Sequence, residues 1–148
     1  MPMHATNRKL LFLVTAFVEG AMGLCLLALP ALLFATLLGW EQVTVDAMFV
    51  GRIAGASLLA MGIASWMGRN DALARAQRGL LTGILVYNTA ASMLLAFAGA
   101  VLKMIGVLLS PAVALHAVLA VWCIRFLWLD RIMGDSGAAA VERRTPKR

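Results

Sequence analysis

Four long runs of apolar residues divide the chain. They cover approximately residues 10–29, 47–67, 80–101 and 107–129. Each run has roughly the 20 residues that an α-helix needs to cross a hydrocarbon core of about 30 Å. Short polar connections separate the runs, and short connections make consecutive helices antiparallel. The pattern predicts an all-α membrane protein, in which four transmembrane helices form an up-down-up-down bundle.

A fifth apolar segment, 31–40, follows Pro30 directly. With about ten residues it is too short to cross the bilayer, so we expect an interfacial or re-entrant segment with Trp40 at headgroup level. The alternative that the first run is a cleaved signal peptide is disfavoured. That run is longer than a signal-peptide core and carries Glu19 at its centre.

Composition supports a membrane protein and excludes an ordinary soluble domain. Hydrophobic residues make up 62% of the 148-residue chain and charged residues only 14%, against about 25% charged in a typical soluble domain. The formal charge of +6 does not indicate a nucleic-acid partner, because nearly all the basic residues flank the spans. We predict one four-helix transmembrane domain, 1–134, a basic cytoplasmic tail, 135–148, and membrane lipids as partners.

The distribution of Lys and Arg predicts the orientation of the bundle. In the predicted topology ten basic residues lie on one side of the membrane, whereas Lys103 lies on the other, together with Glu41 and Asp46. Basic residues concentrate on the cytoplasmic side of membrane proteins. We therefore expect a multi-pass protein of a bacterial-type inner membrane with both termini in the cytoplasm.

Small residues recur at close-packing intervals in the first two spans, as Ala16-x-x-x-Gly20 and Gly51-x-x-x-Gly55. Because small side chains let helix backbones approach closely in lipid, such pairs mark helix contacts. The contact could lie inside the bundle or between two copies of the chain, and we favour the first interpretation.

Every predicted span carries a polar residue within its apolar layer: Glu19, Arg52, Asn88 and His116. Ionisable groups at such depth cost about 2.5 kcal/mol or more and usually face a bundle interior or cavity. The helical rise puts the four residues in adjoining layers of the outer half of the membrane. We expect Glu19 and Arg52 to form an ion pair. Asn88 and His116, with Tyr87 and Ser92 nearby on the third span, could complete a hydrogen-bonded network.

Three interpretations of this polar cluster stay open: a network that only specifies helix packing, a pocket for a lipid headgroup or small molecule, and a site for proton or ion transfer. No second ligand accompanies His116 at helical spacing, so we predict neither a metal nor a haem site. The chain has no CxxC pair and no phosphate-loop, hydrolase or metalloprotease motif. We predict no catalytic residue and no cofactor.

Each span carries a short polar or small-residue motif: Glu19-Gly20 in the first, Gly51-Arg52 in the second, Val86-Tyr87-Asn88 in the third and Pro111 to His116 in the fourth. This pattern resembles the small bacterial DoxX-like membrane proteins and related uncharacterised four-helix families. The resemblance implies a four-helix fold. Some relatives are linked to thiosulfate–quinone oxidoreduction or to redox-stress complexes as membrane subunits.

These observations favour a small inner-membrane protein with an intramembrane polar pocket. It would act as a lipid-binding or small-molecule-binding protein, or as an accessory subunit of a larger membrane complex, without conventional enzyme chemistry. The alternatives are a redox enzyme subunit that engages quinone or a lipid, and a proton-coupled transporter formed by a homo-oligomer.

Overall fold

The computed structural model describes residues 2–70 and 74–142, with side chains described for 7–70 and 75–132. This part of the chain forms five α-helices, which are α1 (Pro2–Ala28), α2 (Pro30–Leu38), α3 (Val45–Gly68), α4 (Ala74–Ala100) and α5 (Leu109–Glu142). All except α2 contain a segment long and apolar enough to cross a membrane: Asn7–Ala28, Val45–Gly68, Arg75–Ala100 and Leu109–Ile132. The predicted four-span helical bundle is confirmed.

Part of the predicted basic tail, 135–148, is helical, and its cytoplasmic location stays a prediction. Helix α5 continues without interruption to Glu142, so at least the first part of that segment extends the last transmembrane helix. Residues 143–148 lie outside the described part of the chain.

Local backbone chemistry sets the ends of the short helix α2. Pro30 has no N–H to donate, so it ends α1 and takes the first position of α2, where no donor is needed. Gly39 ends α2 in the left-handed region, with φ of +76°, and its N–H donates to the Ala35 carbonyl oxygen at 3.0 Å. The Leu108 N–H donates to the Thr36 carbonyl oxygen at 2.9 Å, which fastens α2 to the residues before α5.

Helices α1 and α3 form an antiparallel pair whose backbones meet at glycines. A Cβ atom at Gly55 would lie 2.8 Å from the Gly23 carbonyl oxygen, and one at Gly62 would lie 2.9 Å from the Gly20 nitrogen. Real Cβ atoms do not approach backbone so closely. The interpretation that Gly51-x-x-x-Gly55 packs inside the bundle is confirmed at Gly55, and at Gly51 a Cβ would meet the Phe34 ring.

The second antiparallel pair, α4 and α5, joins the first at one end of the bundle. Buried side chains from α1, α4 and α5 form a core there: Leu11, Phe12, Leu81, Ile84, Leu119, Cys123 and Phe126. Arg8 forms a salt bridge with Asp130 and donates to the Gln77 side-chain oxygen at 3.4 Å. We call this the terminal end of the bundle, because α1 begins here, and we call the opposite end the α2 end.

The outer surface of the bundle is apolar. Large side chains that point outward on three of the spanning helices are mostly exposed, including Phe17 (69%), Met93 (68%) and Val121 (65%). A soluble protein rarely exposes so much contiguous apolar surface. The surface therefore suits contact with lipid chains.

The glycine contacts predict unequal effects for the same substitution. Gly55→Ala should lower the midpoint of thermal unfolding in detergent, because the new methyl group must push α1 from α3, at a cost of about 1–3 kcal/mol for overpacking. Gly83→Ala is the matched control, since a Cβ there meets no atom within 4 Å. It should leave the midpoint unchanged or raise it, because alanine favours helix over glycine. Equal losses in the two variants would contradict the packing.

Candidate functional site

Near the α2 end the two helix pairs separate and enclose a cavity of about 350 Å³. Its walls are largely apolar, with Met22 and Leu26 from α1, Leu58 from α3 and Leu95 from α4. Phe34, with Leu33 and Leu37, brings the short helix α2 into the lining, so α2 covers part of the space. Among the described residues, three polar ones line the cavity: Glu19, Tyr87 and His116.

Glu19 is buried inside the bundle. Only 1% of its surface is exposed, and its Oε1 atom has no hydrogen-bond partner in the described part of the chain. The Tyr87 side chain shares the cavity lining with Glu19. Because a carboxyl group at this depth is costly to leave without a partner, the free Oε1 atom is the least satisfied polar group in the cavity lining.

Tyr87 and His116 lie side by side in the lining. Their ring centroids are 5.6 Å apart and their planes are nearly perpendicular, at 84°. His116 contacts Asn88 through its Nδ1 atom, which lies 2.8 Å from the Asn88 Oδ1 atom. The hydrogen bond between Asn88 and His116 connects α4 with α5, and Tyr87 joins this pair through its ring contact with His116.

The hydrogen bonds of Asn88 determine which ring nitrogen of His116 carries the proton. Asn88 is fully buried, and its Nδ2 atom donates to the Ile84 carbonyl oxygen at 2.9 Å. Its Oδ1 atom can then only accept, so in neutral His116 the proton must lie on Nδ1. The Nε2 atom is left as an acceptor. Asn88 itself does not line the cavity but holds His116 in this tautomer.

The predicted ion pair between Glu19 and Arg52 is wrong. The Arg52 side chain is exposed, whereas Glu19 is buried, and no salt bridge joins them in the described part of the chain. Instead the Arg52 Nε atom donates to the Leu27 carbonyl oxygen at 3.3 Å. Leu27 lies in the last turn of α1, where carbonyl oxygens lack helical partners and a cation is favourable.

The position of Arg52 around its helix explains this outcome. Successive residues of an α-helix are rotated by about 100°, so Arg52 lies well to one side of the Gly51 and Gly55 face that meets α1. Leu58, which lines the cavity, lies on the other side of that face, about 120° from Arg52. The helical rise predicts adjoining membrane layers for Glu19 and Arg52. The Arg52 side chain, however, points away from the cavity around the axis of α3.

The sequence analysis did not predict two features of the structure, the cavity and the salt bridge at the terminal end. The apolar walls have no distinguishing composition, since leucine and alanine occur throughout the spans. The Arg8–Asp130 salt bridge, which joins the helix pairs at the terminal end, had a signal in the opposite charges flanking the first and last spans. Among the described residues, no group of three His, Cys, Asp or Glu side chains could hold a metal ion.

Comparisons of the chain with protein-family models, curated proteins and solved structures find no match. They neither support nor contradict the resemblance to the DoxX-like membrane proteins.

The corrected position of Arg52 predicts that Glu19 and Arg52 act independently on stability. The losses in unfolding free energy for Glu19→Gln and Arg52→Gln should add within about 0.5 kcal/mol in the double variant, because the residues share no contact. Asn88→Ala and His116→Ala provide the comparison, since these residues are in contact and should deviate from additivity by about 0.5–3 kcal/mol. Strong coupling between Glu19 and Arg52 in detergent unfolding would contradict the structure.

Proposed function

We propose that this protein binds a small, largely apolar molecule with a polar head in the cavity between its two helix pairs. It acts without conventional enzyme chemistry, as a lipid-binding or small-molecule-binding membrane protein or as the ligand-holding subunit of a larger complex. The observation that carries the proposal is the cavity of about 350 Å³ with Glu19, Tyr87 and His116 in an otherwise apolar lining.

The size and chemistry of the cavity support a ligand of this kind. Small-molecule sites are commonly cavities of about 300–1,000 Å³ with apolar walls and a few polar groups that orient the ligand. The polar residues belong to α1, α4 and α5, while Leu33, Phe34 and Leu37 on α2 add apolar surface. An elongated ligand would accordingly put its head against Glu19 and its apolar part along the leucine side chains.

The cavity also has a route from the membrane. Ala90 and Leu94 line it and are at the same time exposed on the surface of α4, Leu94 by 68%. A molecule dissolved in the bilayer could therefore enter from the side, without passing through water. This route favours an apolar ligand over a water-soluble one.

We further propose that the protein belongs to a bacterial-type inner membrane, with both termini in the cytoplasm. The bias of basic residues supports this orientation. The contacts of Arg8 with Gln77 and Asp130 support it as well, since they gather the flanks of three spans at one end of the bundle. The likeness to DoxX-like proteins is compatible with an inner-membrane location and stays a proposal.

Native mass spectrometry of protein extracted in mild detergent tests the binding function. The wild-type chain should retain a small molecule of defined mass, and Ala91→Phe should lose it, because the ring would fill the cavity that Ala91 lines. Ala96→Phe is the matched control on an exposed position of α4 and should keep the molecule. Retention by both variants, or no bound molecule on the wild-type chain, would contradict the proposal.

A further inference from the structure

We infer that the ligand of this cavity is a lipophilic amine, bound as its ammonium ion with the positive charge against Glu19. The inference rests on the proposed function and names the chemical class of the ligand. It follows from the charges and the hydrogen-bonding capacity of the polar groups that line the cavity.

The carboxyl group of Glu19 has no cation of the protein beside it. Among the described residues lining the cavity there is no Lys or Arg, and Glu19 is the only acidic residue. Arg52 is held at the end of α1 by the Leu27 carbonyl oxygen, and Arg8 is held at the terminal end by Asp130. An ionised Glu19 therefore needs a cationic ligand as its partner inside the cavity, and without one the carboxyl group takes up a proton.

Two polar atoms of the lining are available to accept a hydrogen bond from a ligand. The Tyr87 hydroxyl lines the same cavity, where the Glu19 carboxylate can accept its proton. His116 uses its Nδ1 proton in the bond with Asn88, which leaves Nε2 as an acceptor. With Glu19 ionised, its free Oε1 atom is a second acceptor. A ligand that complements this set must donate, as a primary or secondary ammonium group does.

The surroundings of Glu19 suit an organic cation with an apolar body. The Tyr87 ring lines the same cavity as Glu19 and contacts the His116 ring, and an aromatic face attracts an ammonium group. Leu26, Leu58 and Leu95 provide apolar wall for a hydrocarbon or aryl chain. A small inorganic cation would leave these walls uncovered, and no further carboxylate is present in the lining to coordinate it.

Isothermal titration calorimetry in mild detergent, with micelle blanks subtracted, tests the inference with three probes. The first is 4-phenylbutylamine, the second is 4-phenylbutan-1-ol, a neutral molecule on the same carbon frame, and the third is 1,4-naphthoquinone, which can only accept hydrogen bonds. The wild-type chain should bind the amine at least about tenfold more tightly than either neutral probe. Glu19→Gln should remove this preference by weakening the binding of the amine and leaving the binding of the neutral probes unchanged. Glu41→Gln, at an exposed residue outside the cavity, should leave it intact.

Equal binding of amine and alcohol, tighter binding of the quinone, or a preference that survives Glu19→Gln would overturn the amine assignment while leaving the cavity as a binding site. Undiminished binding of all probes to the cavity-filling variant Ala91→Phe, or no binding of any probe to the wild-type chain, would overturn the proposed function as well. Circular dichroism of each variant verifies that it is folded.

Discussion

Helices in lipid gain little by hiding apolar side chains from one another, so their association depends on close contact of backbones and on internal polar bonds. In this protein the backbone contact of α1 with α3 at Gly23, Gly55 and Gly62 is the constraint on which the rest depends. It fixes the rotation of α1. Arg8, Thr15 and Glu19 follow one another at intervals of three to four residues or their multiples, so they lie on one neighbouring face of α1. This face is thereby directed at the second helix pair.

The second helix pair packs closely against that face of α1 at the terminal end and loosely towards the α2 end. The cavity results from the loose packing. At the terminal end, close packing around Phe12 and the Arg8–Asp130 salt bridge hold α1 against α4 and α5. Towards the α2 end, small residues of α4 and α5 such as Ala91 and Ala112 leave space, and α2 covers part of it. Glu19 lies at the transition between the filled and the open part. Its burial and its incomplete hydrogen bonding follow from this position.

Hydropathy sufficed to predict the spans, because a transmembrane helix requires a long apolar segment. The end of α1 at Pro30 is also predictable, because proline has no backbone N–H to donate. The polar residues of the site were also visible, since Glu19, Tyr87 and His116 are rare residue types at that depth. Their pairing was not fully predictable. Depth along the membrane normal pairs Arg52 with Glu19 but does not define the direction of a side chain around its helix. In the structure the neighbouring glycines meet α1, and Arg52 therefore reaches the end of α1. The cavity itself depends on the separation of helix pairs, which no local pattern encodes.

Among the described residues, no Lys or Arg pairs with the buried Glu19, and we propose that lipid-soluble molecules reach it from the membrane. Labelling with dicyclohexylcarbodiimide, a lipophilic reagent that modifies protonated carboxyl groups, tests this proposal most directly when peptide mass spectrometry locates the product after reaction at mildly acidic pH. We expect modification of Glu19 in the wild-type chain and in Ala96→Phe, and suppression of this modification in Ala91→Phe. Absence of label at Glu19 while the exposed Glu41 is modified, or undiminished label in Ala91→Phe, would contradict the proposal.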